Sequence, residues 1–156
     1  MSFQQNRRIH LDSSVYIAAL NGETIPAHGG ISRVELTELI FGASEAGLIT
    51  ISTSTVTLVE VRRGPDSLSA SDQARIRAID SLFDQSLTRF VDLDHYVALS
   101  ARLIANQYGV RTMDAIQVAS AEAAGCDELF IWDNRVVSRL SADPMPGLSV
   151  CEPYWK

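Results

Sequence analysis

The stretch LFIWDNR, residues 129–135, takes four apolar residues directly into an acid, Asp133. The stretch RIHLDSSV, residues 8–15, repeats this pattern: a run rich in apolar residues ends in Asp12, and two serines and a helical pattern follow. Short apolar runs that are bounded by polar residues are typical of buried strands. The sequence therefore predicts two strands that each place a carboxylate where the next helix begins.

Strand patterns alternate with helical patterns along the chain. The predicted strands lie near residues 8–11, 48–52, 89–93, 129–132 and 148–150. Segments with helical spacing or with helix-capping residues connect them. This alternation indicates βαβ units and a parallel sheet that is covered by helices on both faces. We therefore expect residues 1–156 to form one three-layer α/β/α domain, since a chain of this length can bury a sizeable core.

Glycines mark where several predicted helices end. Gly47 follows an amphipathic pattern over residues 31–46, and Gly109 follows a helical pattern that begins at His95. Glycine is favoured just after a helix because it adopts positive φ without steric cost. The stretch STVTLVEVRR, residues 54–63, predicts a further helix, which the following Gly-Pro pair ends.

Composition limits the classes of function. The 156 residues are 46% apolar and 21% charged, which is typical of a globular domain. A formal net charge of −6 argues against broad nonspecific attraction to nucleic acid, although it does not exclude nucleic acid as a substrate. Lys156 is the only lysine, so mechanisms that need an internal lysine, such as those of P-loop hydrolases and Schiff-base enzymes, are excluded.

The cysteines and the hydrophobic runs bear on the compartment. Cys126, Cys151 and the three histidines are scattered without the spacing of a zinc site or a disulfide framework. No apolar run approaches the roughly 20 residues that are needed to cross a bilayer. The polar start MSFQQNRR does not resemble a signal peptide. We therefore expect a cytoplasmic protein that does not insert into a membrane.

Four acids from separate segments are candidates for a common site: Asp12, Glu60, Asp114 and Asp133. Parallel strands bring their carboxyl ends to one edge of a sheet, which places Asp12 and Asp133 at that edge. Asp114, in RTMDAIQVA, opens a predicted helix, and Glu60 lies within another. Taken singly, an Asp before a helix is usually an N-cap, and a Glu on a helix is usually solvated.

Taken together, the four acids indicate a metal site. Carboxylates that gather at one edge repel each other and raise each other's pKa values, a cost that a bound divalent cation removes. A set of oxygen ligands without cysteine or histidine suits Mg²⁺ or Mn²⁺. Such a site suits phosphodiester hydrolysis, in which metal ions activate water and stabilise the departing oxygen.

The order and spacing of these motifs resemble those of the PIN-domain nucleases and, most closely, of the VapC-type toxins of toxin–antitoxin pairs. The matching segments are HLDSSV, STVTLVEVRRG, MDAIQVASA and LFIWDNR, which together span nearly the whole chain. The resemblance implies a PIN-like fold whose parallel sheet has the strand order 3-2-1-4-5. It also implies metal-dependent endoribonuclease activity, in which water attacks phosphorus and the 3′ oxygen leaves.

Carried over position by position, the resemblance makes four residues the catalytic and metal-binding acids: Asp12, Glu60, Asp114 and Asp133. Ser13 is then a candidate for hydrogen bonding to the site. One departure is Trp132, which precedes Asp133 where relatives commonly have Thr or Ser. The hydroxyl at that position is therefore missing, and Thr112 or Asn134 could supply a substitute hydrogen bond.

Arginines beside these acids could hold the RNA backbone: Arg62, Arg63, Arg111 and Arg135. An equally good interpretation is that they are surface arginines that pair with nearby acids. The resemblance further implies a homodimer and a small antitoxin protein whose C-terminal segment blocks the acidic groove. Ile40 and Phe41 could contribute to that surface, although core packing explains them better when they are taken alone.

Two other functions fit part of the pattern. A phosphatase of the HAD type also begins with an Asp at a strand end, but it needs a second Asp where this chain has Ser14, and it needs an internal lysine. The stronger alternative is a catalytically inactive PIN-like module that binds RNA or protein. The presence of all four acids disfavours this module, whereas Trp132 favours it. Metal binding and metal-dependent cleavage would separate it from a nuclease.

Overall fold

The fold was obtained as a computed structural model, and the structure describes residues 6–61, 70–84 and 86–156. Within these ranges the elements follow in the order β1 (Arg7–Leu11), α1 (Ser13–Leu20), α2 (Arg33–Glu45), β2 (Ile49–Ser54), α3 (Thr55–Glu60), α4 (Ala70–Leu82), β3 (Thr88–Val91), α5 (His95–Tyr108), α6 (Thr112–Ala123), β4 (Glu128–Phe130), α7 (Asn134–Ala142) and β5 (Ser149–Cys151). A short 3₁₀ turn, His28–Gly30, lies between α1 and α2.

The five strands form one parallel sheet in the order β3-β2-β1-β4-β5, which confirms the predicted fold class and strand order. The pairing of β1 with β4 sets Leu11 opposite Phe130. Just beyond this pair, the Asp12 N–H donates to the Phe130 carbonyl at 3.0 Å. The carboxyl ends of β1 and β4 therefore lie side by side, which brings Asp12 and Asp133, the acids that follow these strands, to the same edge of the sheet.

Two apolar clusters fill the spaces between the sheet and its helices. Leu129 and Ile131 belong to the cluster that includes residues of α5, α6 and α7, whereas Phe130 and Trp132 belong to the cluster that includes residues of α1 and α2. Successive side chains of a strand point to opposite faces of the sheet. The two clusters therefore lie on opposite faces, which makes the domain a three-layer α/β/α structure.

Several predicted boundaries were wrong by one to three residues, and two of them lie beside the strand-ending or helix-borne acids. Strand β4 ends at Phe130 rather than at residue 132, because Ile131 leaves the ladder with β1 while its N–H still donates to the Cys151 carbonyl at 3.1 Å. Helix α3 ends at Glu60 rather than at residue 63, because Val61 has left the helical conformation. The predicted residues Arg62 and Arg63 lie outside the described ranges, as does the Gly-Pro pair.

Several local predictions are confirmed by the backbone and by burial. Gly47 and Gly109 both have positive φ, +72° and +62°; Gly109 is the C-cap of α5, and Gly47 follows Ala46, the C-cap of α2. Ile40 and Phe41 are 0% and 7% exposed and pack against α1, so core packing is their role.

Among the described residues, no helix combines the length and the apolar character that a membrane span needs.

Candidate functional site

A cleft of about 700 Å³ opens at the carboxyl edge of the sheet, and all four predicted acids line it: Asp12, Glu60, Asp114 and Asp133. The acids come from the end of β1, the end of α3, the first turn of α6 and the start of α7. The other predicted residues that line the cleft are Ser13, Thr112, Asn134, Arg111 and Arg135. Chain topology therefore brings every described site candidate to one place, which we call the acidic cleft.

Asp12 is the most buried of the four acids, with 5% of its surface exposed. It is the N-cap of α1, and its Oδ2 atom accepts a hydrogen bond from the Ser14 N–H at 2.8 Å. Burial raises the pKa of Asp12 to about 6, and the charges of Glu60 and Asp114 act in the same direction, while the Ser14 hydrogen bond opposes them. Asp12 is therefore both a helix cap and a carboxylate whose charge is poorly compensated.

Asp133 also caps a helix, and its charge is well compensated. Its Oδ1 atom accepts from the Arg135 N–H at 2.9 Å at the start of α7. The Arg135 side chain also donates to Asp133 and lowers the pKa of this carboxyl, and the charge of Arg111 adds to the effect. The two capping acids of the cleft therefore have pKa values that are shifted in opposite directions.

Asp114 is not an N-cap, in contrast to the usual interpretation of an acid at a helix start. The N-cap of α6 is Arg111, which makes no side-chain capping bond, and Asp114 lies in the first turn of the helix. The Arg111 Nε atom lies 2.9 Å from the Asp114 Oδ2 atom. Asp114 is itself 7% exposed, so its carboxylate faces the cleft from a largely buried position.

Arg111 joins two of the acids across the cleft. Besides its contact with Asp114, its Nη2 atom lies 3.0 Å from the Asp133 Oδ2 atom. Within residues 6–61, 70–84 and 86–156, no three His, Cys, Asp or Glu side chains are arranged so that they could hold a metal ion as they stand. The Arg111 guanidinium therefore occupies oxygens of two of the four acids, Asp114 and Asp133.

The donor set nevertheless fits a hard divalent cation. The acids supply only carboxylate oxygens, which are the ligands that Mg²⁺ and Mn²⁺ prefer. Burial is the largest cause of the raised pKa of Asp12, and the charges of Glu60 and Asp114 add to it, so a cation bound beside Asp12 would favour its ionised form. A cation could share these oxygens once the Arg111 side chain, which is 66% exposed, has moved away from Asp114 and Asp133.

Glu60 lies at the end of a set of buried polar residues, Gln117 and His10 among them, that were not predicted from the sequence. The Gln117 Nε2 atom lies 2.9 Å from the Thr57 hydroxyl and 3.5 Å from the Glu60 Oε2 atom. The Gln117 Oε1 atom lies 2.9 Å from the Nε2 atom of His10. Sequence spacing could have indicated both residues. Gln117 follows Asp114 by three residues, on the same face of a helix, and His10 precedes Asp12 by two residues, on the same face of a strand.

His10 is fully buried beneath the cleft, between the side chains of Ser52 and Gln117. Burial lowers the pKa of His10 to about 4, although its hydrogen bond with Gln117 acts in the opposite direction. The ring is therefore neutral at neutral pH. It serves as a polar contact inside the core rather than as a charged group.

Trp132 stands where relatives commonly have a hydroxyl side chain, and the Ser14 side chain supplies a hydroxyl next to this position. The Trp132 N–H donates to the Ser14 Oγ atom at 3.0 Å, which ties the end of β4 to the start of α1. The Trp132 ring packs in the core cluster, with the Arg33 guanidinium 4.3 Å from the ring centroid. The sequence signal for Ser14 was its place as the second serine after Asp12, a place that the resemblance did not assign.

These features define a class: a parallel three-layer α/β/α domain with an acidic cleft at the carboxyl edge of its sheet. The PIN domain family model matches residues 9–142. The chain therefore belongs to the PIN domain family, which confirms the predicted family. A comparison with curated proteins gives no match.

Solved structures of toxin–antitoxin proteins share the fold. A toxin–antitoxin complex from Klebsiella pneumoniae aligns with a TM-score of 0.60 and 17% identity, over 95% of this chain and 99% of that chain. VapBC2 from Rickettsia felis, bound to a DNA fragment from its promoter, aligns with a TM-score of 0.58 and 14% identity, over 93% and 98%. Mycobacterium tuberculosis VapC20, a toxin that cleaves the sarcin–ricin loop, aligns with a TM-score of 0.57 and 15% identity, over 83% and 93%.

Proposed function

We propose that this protein is a Mg²⁺- or Mn²⁺-dependent endoribonuclease that acts in the cytoplasm as the VapC-type toxin of a toxin–antitoxin pair. The observation that carries the proposal is the acidic cleft, in which four carboxylates from four separate segments line one cavity. The family match supports a nuclease, and the toxin–antitoxin proteins that share the fold support the toxin role.

The proposed roles of the acids follow from their positions. Bound Mg²⁺ or Mn²⁺ would supply a Lewis acid that makes water a better nucleophile and stabilises the oxygen that leaves phosphorus. Four acids would hold the ion: Asp12, Glu60, Asp114 and Asp133. Asp12 and Asp114 are 5% and 7% exposed and would hold the ion at the base of the cleft, whereas Asp133 lies nearer the opening.

The RNA backbone would lie along the arginine side of the cleft. Arg111 and Arg135 are 66% and 77% exposed, and both contact Asp133 at the rim. Beside them, Arg139 lines an adjoining smaller pocket, which shares Arg111 and Arg135 with the cleft, and donates to the carbonyls of Tyr108 and Gly109. Guanidinium groups at a rim can exchange a carboxylate for a phosphate, since they bind both with the same geometry. Arg62 and Arg63 are proposed for the same role from the sequence alone.

The proposed partners are a cognate antitoxin and a second copy of the chain. The solved relatives are described as toxin–antitoxin complexes or as members of VapBC systems, which supports an antitoxin partner. Helix α5 presents an apolar stripe of Tyr96, Leu99 and Leu103, which are 80%, 45% and 68% exposed. An exposed stripe of this kind supports a protein interface, and we propose that it pairs two copies of the chain.

The experiment is an RNA-cleavage assay with Mn²⁺, with Mg²⁺ and with a chelator, on the wild-type chain and on Asp114→Asn. We expect cleavage that needs metal and that falls at least about a hundredfold in the variant, because the change removes a charge needed to hold the ion. Asp143→Asn, at an exposed acid outside the cleft, is the matched control and should retain wild-type activity.

Two outcomes would contradict the nuclease proposal. Equal cleavage by wild type and Asp114→Asn would show that the activity belongs to a contaminant. Absence of both Mn²⁺ binding and cleavage in the wild-type chain would favour the alternative, a catalytically inactive PIN-like module that binds RNA or protein. Arg111 gives that alternative its structural basis, since it already pairs with two of the acids.

A further inference from the structure

A chain of buried polar side chains runs beneath the acidic cleft and ends at Glu60. The Ser52 hydroxyl lies 2.9 Å from the His10 Nδ1 atom, and the His10 Nε2 atom lies 2.9 Å from the Gln117 Oε1 atom. The Gln117 amide nitrogen then faces Thr57 at 2.9 Å and Glu60 at 3.5 Å. His10, Ser52, Thr57 and Gln117 are each at most 2% exposed. We call this set the buried relay.

The hydrogen-bonding roles along the relay follow from the orientation of the Gln117 amide. Its NH₂ group faces the Thr57 hydroxyl and the Glu60 carboxylate, both of which can accept. The Gln117 Oε1 atom then points to the His10 ring and needs a donor there. The His10 Nε2–H is that donor, which leaves the Nδ1 atom to accept from the Ser52 hydroxyl. One arrangement of protons therefore satisfies these three contacts.

The relay also links two of the site acids mechanically. Gln117 follows Asp114 by three residues on α6, so both side chains project from the same face of one helix. Glu60 is the last residue of α3, a helix of six residues. A long, half-buried Glu at the end of a short helix has several rotamers of similar energy. The Gln117 amide nitrogen, which lies 3.5 Å from the Glu60 Oε2 atom, connects it to the helix that carries Asp114.

We propose that Gln117 is a positioning residue that restrains the Glu60 carboxylate relative to Asp114 for the binding of a divalent cation, and that His10 fixes the orientation of the Gln117 amide. This inference rests on the proposed metal-dependent function. Buried polar contacts are costly to maintain when they serve packing alone, since apolar side chains of similar shape would fill the same space. Residues that orient metal ligands through hydrogen bonds affect metal affinity about 10- to 100-fold.

The first test measures Mn²⁺ affinity by calorimetry in Gln117→Met, which keeps the side-chain length and removes the amide. We expect affinity to fall about tenfold while the protein stays folded, as judged by circular dichroism. Gln107→Met, the same substitution at an exposed position of α5, is the matched control and should bind Mn²⁺ like the wild type. Unchanged Mn²⁺ affinity in Gln117→Met would overturn the inference.

A double-mutant cycle separates positioning from a general loss of structure. If Gln117 acts through Glu60, adding Gln117→Met to Glu60→Gln should change Mn²⁺ affinity less than about twofold. If the two substitutions instead reduce affinity by independent factors, Gln117 is structural and the inference is wrong.

A rescue experiment at His10 gives an independent answer. His10→Gln retains an amide N–H that can donate toward Gln117, whereas His10→Met removes the donor. We expect His10→Gln to keep Mn²⁺ affinity within about threefold of the wild type and His10→Met to lose about tenfold. Equal affinities for the two variants would contradict the role of His10. A wild-type chain that neither binds Mn²⁺ nor cleaves RNA would instead contradict the proposed function, before any variant is compared.

Discussion

The Arg111 guanidinium reaches across the acidic cleft to Asp133, with its Nη2 atom 3.0 Å from the Oδ2 atom of the carboxylate. The same guanidinium contacts Asp114, so one arginine neutralises acids from the starts of two helices. Because 66% of the Arg111 side chain is exposed, water screens these ion pairs and they are weak. Arg111 is therefore an internal counter-ion, which the proposed divalent cation would have to displace.

Replacing Arg111 should strengthen metal binding. Arg111→Ala removes both a competitor for the carboxylates and a positive charge that repels the ion, so we expect Mn²⁺ affinity to rise about two- to tenfold. The same variant should bind RNA more weakly, because a phosphate contact is lost. Calorimetric titration with Mn²⁺ measures the first effect, with Arg102→Ala on α5 as the control. Weaker Mn²⁺ binding in Arg111→Ala would show that Arg111 organises the acids rather than competing for them.

Asp12 should destabilise the metal-free protein at neutral pH. Its folded-state pKa of about 6 lies above the ordinary value of 3.8, so the folded chain holds the proton more tightly. The stability contributed by protonated Asp12 is present below pH 3.8 and is lost as the pH rises through 6. Asp12→Asn keeps a capping side chain without the charge. We expect it to raise the free energy of unfolding by about 1–3 kcal/mol at pH 7.5 and by much less near pH 4.

Thermal and urea unfolding of Asp12→Asn across this pH range would test the expectation, with Asp143→Asn as the control. Mn²⁺ should stabilise the wild type and leave Asp12→Asn nearly unchanged, since a ligand that binds only the folded state raises its stability. A variant that is less stable than the wild type at pH 7.5 would show that the charged cap outweighs the burial of the charge.

His10 should make the protein less stable in mild acid. Its pKa is about 4 in the folded state and 6.5 as the ordinary value, so the unfolded chain takes up the proton first. The stability that depends on neutral His10 is complete above pH 6.5 and is lost as the pH falls toward 4. The contributions of His10 and Asp12 to the free energy of unfolding therefore change with pH in opposite directions. The test is therefore best made in the Asp12→Asn background, where adding His10→Gln should flatten the fall in the free energy of unfolding between pH 7 and pH 4.5. An unchanged slope would contradict the assignment.

The sequence predicted the sheet and the meeting of Asp12 and Asp133 at its edge because both follow from periodicity and topology. A parallel sheet needs only alternating strand and helix patterns to be inferred, and it brings strand ends together whatever the loops do. The positions of Asp12 and Asp133 at the cleft were therefore accessible without coordinates. The position of Asp114 came from the order of the motifs in the family.

The buried relay and the pairing of Arg111 with two acids could not be predicted from the sequence in the same way. His10 and Gln117 are separated by 107 residues, and nothing in either segment specifies the other as its partner. Arg111 had two equal interpretations, as an RNA-binding group and as a partner of acids, and the structure shows it paired with Asp114 and Asp133. Rotamers and long-range contacts decide such roles, and local patterns do not encode them.

The stripe of Tyr96, Leu99 and Leu103 on α5 should control self-association. Leu103→Glu places a charge at a position that is 68% exposed, so it should leave the fold intact while it penalises an apolar interface. We expect the dissociation constant of the dimer to rise at least about tenfold, as measured by analytical ultracentrifugation. Leu48→Glu, at an apolar residue that is 62% exposed outside the stripe, is the control. Equal sedimentation of wild type and Leu103→Glu would place any dimer interface elsewhere.

Gly109 and Gly42 should respond oppositely to the same substitution. Gly109 has a φ of +62°, and a Cβ atom there would lie 2.6 Å from the Arg139 Nη1 atom, which donates to the Gly109 and Tyr108 carbonyls. Gly109→Ala must therefore strain the backbone and displace Arg139, and we expect a loss of at least about 1 kcal/mol in the free energy of unfolding. Gly42 lies within α2, and a Cβ atom would meet nothing within 4 Å, so Gly42→Ala should add about 0.5–1 kcal/mol. Chemical denaturation measures both changes, and a stabilised Gly109→Ala would show that the turn before Arg111 tolerates another backbone conformation.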